Sequence, residues 1–139
     1  MRSPRPPTRP RPRATSATRP TTVGSGTGTY VVLTTVGGLD KALEIGETLV
    51  RERLAACVNL VPGVRSIYRW KGEVCRDEEV LLVVKTAGSA WPLLERRLRA
   101  LHPYQCPEII ALPIEAGAEP YLRWIAESVT DRYEAVPEE

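Results

Sequence analysis

Residues 55 to 87, AACVNLVPGVRSIYRWKGEVCRDEEVLLVVKTA, form two long extended runs with one strong turn between them at WKGE. Gly72 supplies the positive-φ position that such a turn needs, so the pair reads as a β-hairpin. Pro62 and Gly63 interrupt the first arm, and a ladder cannot pass through them unchanged, so VPG is expected to be a bulge or bend. The second arm ends in VLLVV, residues 80 to 84, which is apolar on both sides of the pleat. A strand of that kind has to be covered on both faces. The hairpin therefore fixes a sheet, and the rest of the chain has to supply its covers.

The flanking segments supply them in a definite order. TYVVLTT, from Thr29, is a β-branched run that reads as a buried strand, and GG then leads into a helix with Asp40 as its expected N-cap. Ala42, Ile45 and Leu49 fall on one side of that helix, with Leu43, Val50 and Leu54 flanking them. Gly46 lies inside the same stripe and allows close approach to a sheet, at a propensity cost of roughly 1 kcal/mol. After the hairpin, Ser89 is the expected N-cap of a second helix, with Pro92 tolerated in its first turn. Trp91, Leu94, Leu98 and Leu101 recur at helical spacing, and Pro103 stops the helix. EIIALPI, beginning at Glu108, reads as a fourth strand. A last helix begins near Pro120 and presents Tyr121, Leu122, Ile125 and Val129.

Strand, helix, strand, strand, helix, strand, helix is the α+β order of a ferredoxin-like split βαβ unit with one added helix. Both crossover helices of such a unit lie on one face of a four-stranded sheet. The other face is left to the third helix and to a partner subunit, so a homo-oligomer is expected.

Charge divides along the chain. Residues 1–28 are rich in Arg and Pro and hold six of the 19 basic residues and no acid, which leaves 13 basic against 17 acidic residues beyond them, or −4. Three segments are expected: a disordered arm over 1–28, a globular domain over 29–130 and a flexible tail over 131–139. The arm suits a tether to nucleic acid or an acidic surface, or an organelle transit peptide, while the acidic domain argues against a nucleic-acid face of its own. No run approaches the roughly 18 apolar residues of a membrane span, so a soluble, cytoplasmic protein is expected. Cys57, Cys75 and Cys106 are odd in number and unevenly spaced, which fits neither a disulfide framework nor a paired zinc motif and suits a reducing compartment.

The long hairpin sequence, followed by LHPYQCPEIIALPI and YLRWI, resembles the CutA family, the divalent-ion tolerance proteins, over roughly Thr29 to Val129. The resemblance implies a homotrimer joined by edge-to-edge extension of the hairpin arms, similar in architecture to the PII signalling proteins. It implies a part in tolerance of copper and other divalent metals and no enzymatic reaction. The copper-ligand positions that it implies fall on Thr34, Leu101 and His102. Only His102 is a ligand type, so copper binding is expected to be weak, with no obligatory cofactor.

HPYQCPEII, residues 102–110, holds the only histidine. His102 and Cys106 are candidate metal ligands, because imidazole and thiolate suit copper or zinc. Alternatively, His102 is a polar residue at a helix C-terminus whose charged form suits the dipole. A His102–Cys106 nucleophilic pair lacks an orienting third group or an oxyanion hole at recognisable spacing. A polar and aromatic set, Tyr68, Trp70, Glu79, Lys85, Tyr104 and Glu108, is the candidate ligand cleft. Glu79 and Lys85 share one side of a strand, and Glu108 is the expected partner of Lys85. The resemblance places these positions in clefts between subunits, as pockets for a small anion or metabolite. Two functions follow: a trimeric, non-enzymatic protein that responds to metal or binds a small ligand, or a PII-like signalling or scaffold trimer whose basic arms bind an acidic partner.

Overall fold

The computed structural model describes residues 26–130; the arm before them and the tail at 131–139 lie outside the described residues. Seven elements follow in chain order: β1 (Thr29–Val36), α1 (Leu39–Arg51), β2 (Cys57–Trp70), β3 (Glu73–Ala87), α2 (Trp91–Leu101), β4 (Ile110–Pro113) and α3 (Glu119–Ser128). The strands form one antiparallel sheet in the order β2-β3-β1-β4, which makes the fold α+β. Among the described residues, no helix is long and apolar enough to cross a membrane.

The hairpin closes as its sequence requires. Trp70 pairs with Glu73 around Lys71 and Gly72, at φ 50° and 79°. Two consecutive left-handed residues make the tight turn whose twist matches that of the strands. The register slips between Val61 and Val64, where Gly63 takes φ 78°, so the bulge falls on the Pro-Gly pair.

Alternation along the strands separates the two faces. Val32, Val36, Val80, Leu82 and Val84 turn to the helix layer and pack with Ala42, Ile45, Leu49, Leu93, Leu94 and Leu98 of α1 and α2. Gly46 does allow the close approach. A Cβ there would meet Val58 Cγ1 at 3.3 Å and Leu60 Cδ1 at 3.5 Å. On the opposite face Leu33 pairs with Val83, and Thr35 with Leu81. There α3 packs on β3 and β1 and buries Ile125 completely. It covers only part of this face: Val61, Ile110 and Leu112 stay 43–48% exposed.

Three boundaries differ from the sequence reading. Gly38, not Asp40, is the N-cap of α1, and its carbonyl accepts from Ala42 N–H at 3.1 Å. Asp40 sits inside the first turn instead, where its charge suits the helix dipole. Ala90, not Ser89, caps α2, because a turn from Ala87 N-terminal to the helix uses the serine as an exposed corner. The fourth strand pairs from Ile110 rather than Glu108: the Thr35 carbonyl, level with Glu108 in this register, accepts from the His102 ring at 2.9 Å. Thr27 and Gly28, which precede β1, are also tied to the domain, through Thr27 N–H to Ile114 O (3.1 Å) and Gly88 N–H to Gly28 O (2.8 Å).

Candidate functional site

Counting back from the turn places Ser66 opposite Asp77 and Val64 opposite Glu79. Facing residues of an antiparallel pair share a side of the sheet, so Ser66, Tyr68, Asp77 and Glu79 form one polar cluster. Glu79 is 2% exposed and Asp77 8%. Buried carboxylates need donors, and hydroxyls provide them. Ser66 donates to Glu79 Oε1 at 2.6 Å, Tyr104 to Glu79 Oε2 at 2.9 Å, and Tyr68 to Asp77 Oδ2 at 2.8 Å. The Tyr104 oxygen in turn accepts from Gly37 N–H at 3.0 Å, which joins the β1–α1 turn to the hairpin. Beside this network is an open recess of ≈ 290 Å³, lined by Gly38, Leu39, the bulge residues Pro62 and Gly63, and Glu78 to Val80.

His102 is buried next to the network. Its Nδ1 accepts from Tyr104 N–H at 3.2 Å, so that nitrogen carries no proton. Its Nε2 therefore donates to Thr35 O at 2.9 Å. Both ring nitrogens are engaged, and His102 stands at the C-cap of α2, the helix C-terminus where the sequence reading put it. The same bonds leave His102 no free nitrogen for a metal. Thr34, at one position implied as a copper ligand, points into the helix-facing core, and its hydroxyl has no hydrogen-bond partner among the described residues. Cys106 is half-buried and forms no disulfide among the described residues. Among the described residues, no three His, Cys, Asp or Glu side chains group as a metal site would require.

Only part of the candidate cleft comes together. Glu79 and Tyr104 meet midway along the hairpin and Tyr68 lies nearer the turn, on Asp77, whereas Trp70 lies at its tip with Lys71 Nζ 5.8 Å from its ring centre. Lys85 is at the other end of β3. Its ammonium bonds Asn59 Oδ1 and lies 4.0 Å from Cys57 Sγ. The expected Lys85–Glu108 pair is corrected by the register: Lys85 faces Val31, while Glu108 is level with Thr35, four residues and about 13 Å further along β1. Ser66, Asp77, Gly37 and Asn59 were missed by the sequence reading. The first two were within reach of the count from the WKGE turn; Gly37 and Asn59 carried no local signal.

The chain is similar to known proteins. The family model described as CutA1 divalent ion tolerance protein matches residues 30–128. The "Divalent-cation tolerance protein CutA" of Thermus thermophilus is 57% identical over 98 residues, 70% of this chain and 95% of that protein. The human "Protein CutA" is 43% identical over 140 residues, 99% of this chain and 76% of that protein. A solved structure of the divalent cation tolerance protein from Thermus thermophilus superposes with a TM-score of 0.72 at 55% identity, covering 73% of this chain and 99% of the other.

Proposed function

The chain belongs to the CutA1 divalent ion tolerance family, and from that premise we propose that it is a non-enzymatic divalent-cation tolerance protein that works as a homotrimer of ferredoxin-like subunits and responds to a metal or small ligand bound in clefts at the subunit boundaries. The observation that carries the reading is the buried Glu79 network beside the open recess. Three hydroxyls hold Asp77 and Glu79 in place, and the bulge at Pro62 and Gly63 opens the surface next to them. A preset polar group in a concavity is what fixes the orientation of a ligand. The exposed β2 edge and the partly covered second face supply the surfaces for assembly. The one imidazole is engaged at both nitrogens, which supports a binding role over general-base chemistry. Three cysteines outside any disulfide among the described residues suit a reducing cytoplasm.

Native mass spectrometry of the protein purified from its source tests the proposal, because it reports subunit count and retained ligand together. A trimer carrying a bound species that Glu79→Gln loses is the expected result. A monomer at micromolar concentration, or a ligand retained in full by that variant, would overturn it.

A further inference from the structure

α1 carries a second apolar stripe that the core leaves uncovered. Leu43 and Val50, 44% and 42% exposed, fall seven residues apart on one side of the helix. With Glu47 and Arg51 they form one wall of an open groove of ≈ 560 Å³, and Val58 and Leu60 of β2 form the other. Both β2 residues pack against the core under α1 and α2, so the groove lies on the helix-layer side of the sheet, ahead of the bulge at Pro62 and Gly63. It shares no residue with the recess beside Glu79. The end of α3 brings the chain to the mouth of this groove. Val129 is buried with Ala87 and Ala90 against Ala56, and Thr130 N–H donates to Arg53 O at 2.8 Å, two residues past the end of α1. The Arg53 guanidinium fastens α3 at the same place, through Glu127 O at 3.3 Å.

We propose that residues 131–139, DRYEAVPEE, dock in this groove of their own chain, with Tyr133 on Val50 and Val58, Val136 on Leu43 and Leu60, and Asp131 and Glu134 beside Arg51. The lengths agree. From Thr130, extended chain carries Tyr133 about 10 Å and Val136 about 20 Å, while the helix wall from Arg51 to Leu43 is about 12 Å long. Pro137 biases Val136 to extended or polyproline backbone. In polyproline geometry Tyr133 and Val136 are one turn apart, on the same side and separated by about 9 Å, which matches the spacing of about 10 Å between Val50 and Leu43 along α1. Asp131 and Glu134 share another side by the same period. Charge agrees as well. The segment has four acids against one base, or −3, and Arg51 is 74% exposed with only a 3.9 Å contact to Glu47, so it is available to a carboxylate. Docking of this kind takes the open stripe of α1 out of water and leaves the hairpin arms beyond Pro62 for contacts between subunits.

Photo-crosslinking of the full-length protein, with p-benzoylphenylalanine in place of Tyr133, tests the docking. Denaturing electrophoresis separates links within a chain from links between chains, and peptide mass spectrometry maps their ends. Links to residues 43–51 and 57–60 in a species of single-chain mass are expected. Val50→Glu, which puts a charge on the apolar wall at a position 42% exposed, should lower their yield about tenfold. Links confined to other parts of the chain, or links to the groove no more frequent than in urea-unfolded protein, overturn the proposal without recourse to that variant. Links to the groove found only in a species of twice the single-chain mass also overturn it, since they put the segment of a second copy there. So does an undiminished yield in a Val50→Glu protein of native circular dichroism.

Discussion

Glu79 is 2% exposed, and its two oxygens are met by hydroxyls from different parts of the chain, Ser66 on the adjacent strand and Tyr104 beyond α2. Tyr104→Phe removes one donor to the carboxylate and the acceptor for Gly37 N–H in a single change. The expected cost is about 1.5–3 kcal/mol, the usual range for a hydrogen bond to a charged group, read as a lower urea midpoint at unchanged slope. Thr34 is the opposite case. Its buried hydroxyl has no partner among the described residues, so Thr34→Val keeps the shape and removes the desolvated oxygen. That variant should gain about 1 kcal/mol, and a loss of stability would show that the oxygen is satisfied after all. His102→Ala addresses the metal reading. With both ring nitrogens engaged, Cu(II) titration of the wild-type and variant proteins should give the same weak binding. Tight binding that disappears in the variant would restore His102 as a ligand.

Among the elements, α1 and β2 touch where Gly46 leaves room for Val58 and Leu60. Gly46→Leu has to push the helix away from the sheet, and overpacking of this kind costs about 1–3 kcal/mol. Faster hydrogen exchange confined to α1 and the start of β2 would accompany the lower melting temperature; a variant as stable as wild type would mean that the helix shifts without penalty. The hairpin and the helical stripes were legible in the sequence, because a period of two or of 3.6 residues is a local property. The caps were not. Asp40 and Ser89 have the right chemistry for caps, yet Gly38 at φ 99° and the turn at Ala87 start the helices elsewhere. Those starts are set by how the strands before the helices end, and nothing in the cap residues themselves reports that.

For the molecule as a unit, Thr27 and Gly28 belong with the domain. Deleting residues 1–25 should leave assembly and melting temperature unchanged, whereas deleting 1–28 removes the bonds to Ile114 and Gly88 and should lower the melting temperature by about 4–8 °C if it costs 1 kcal/mol. Differential scanning calorimetry of the two truncations decides between them. Equal curves would mean that these bonds contribute nothing.

The order of elements, the turn at Gly72, the bulge at Pro62 and Gly63, and the apolar side of each helix could all be read along the chain, since each follows from neighbours within a few residues. How the polar residues group could not. Folding joined Tyr104 to Glu79, took Glu108 about 13 Å along the sheet from Lys85, and set Lys85 beside Cys57 and Asn59. The reason is register. Alternation along a strand tells which face a side chain takes, but its partner across the ladder depends on where two distant segments lock together.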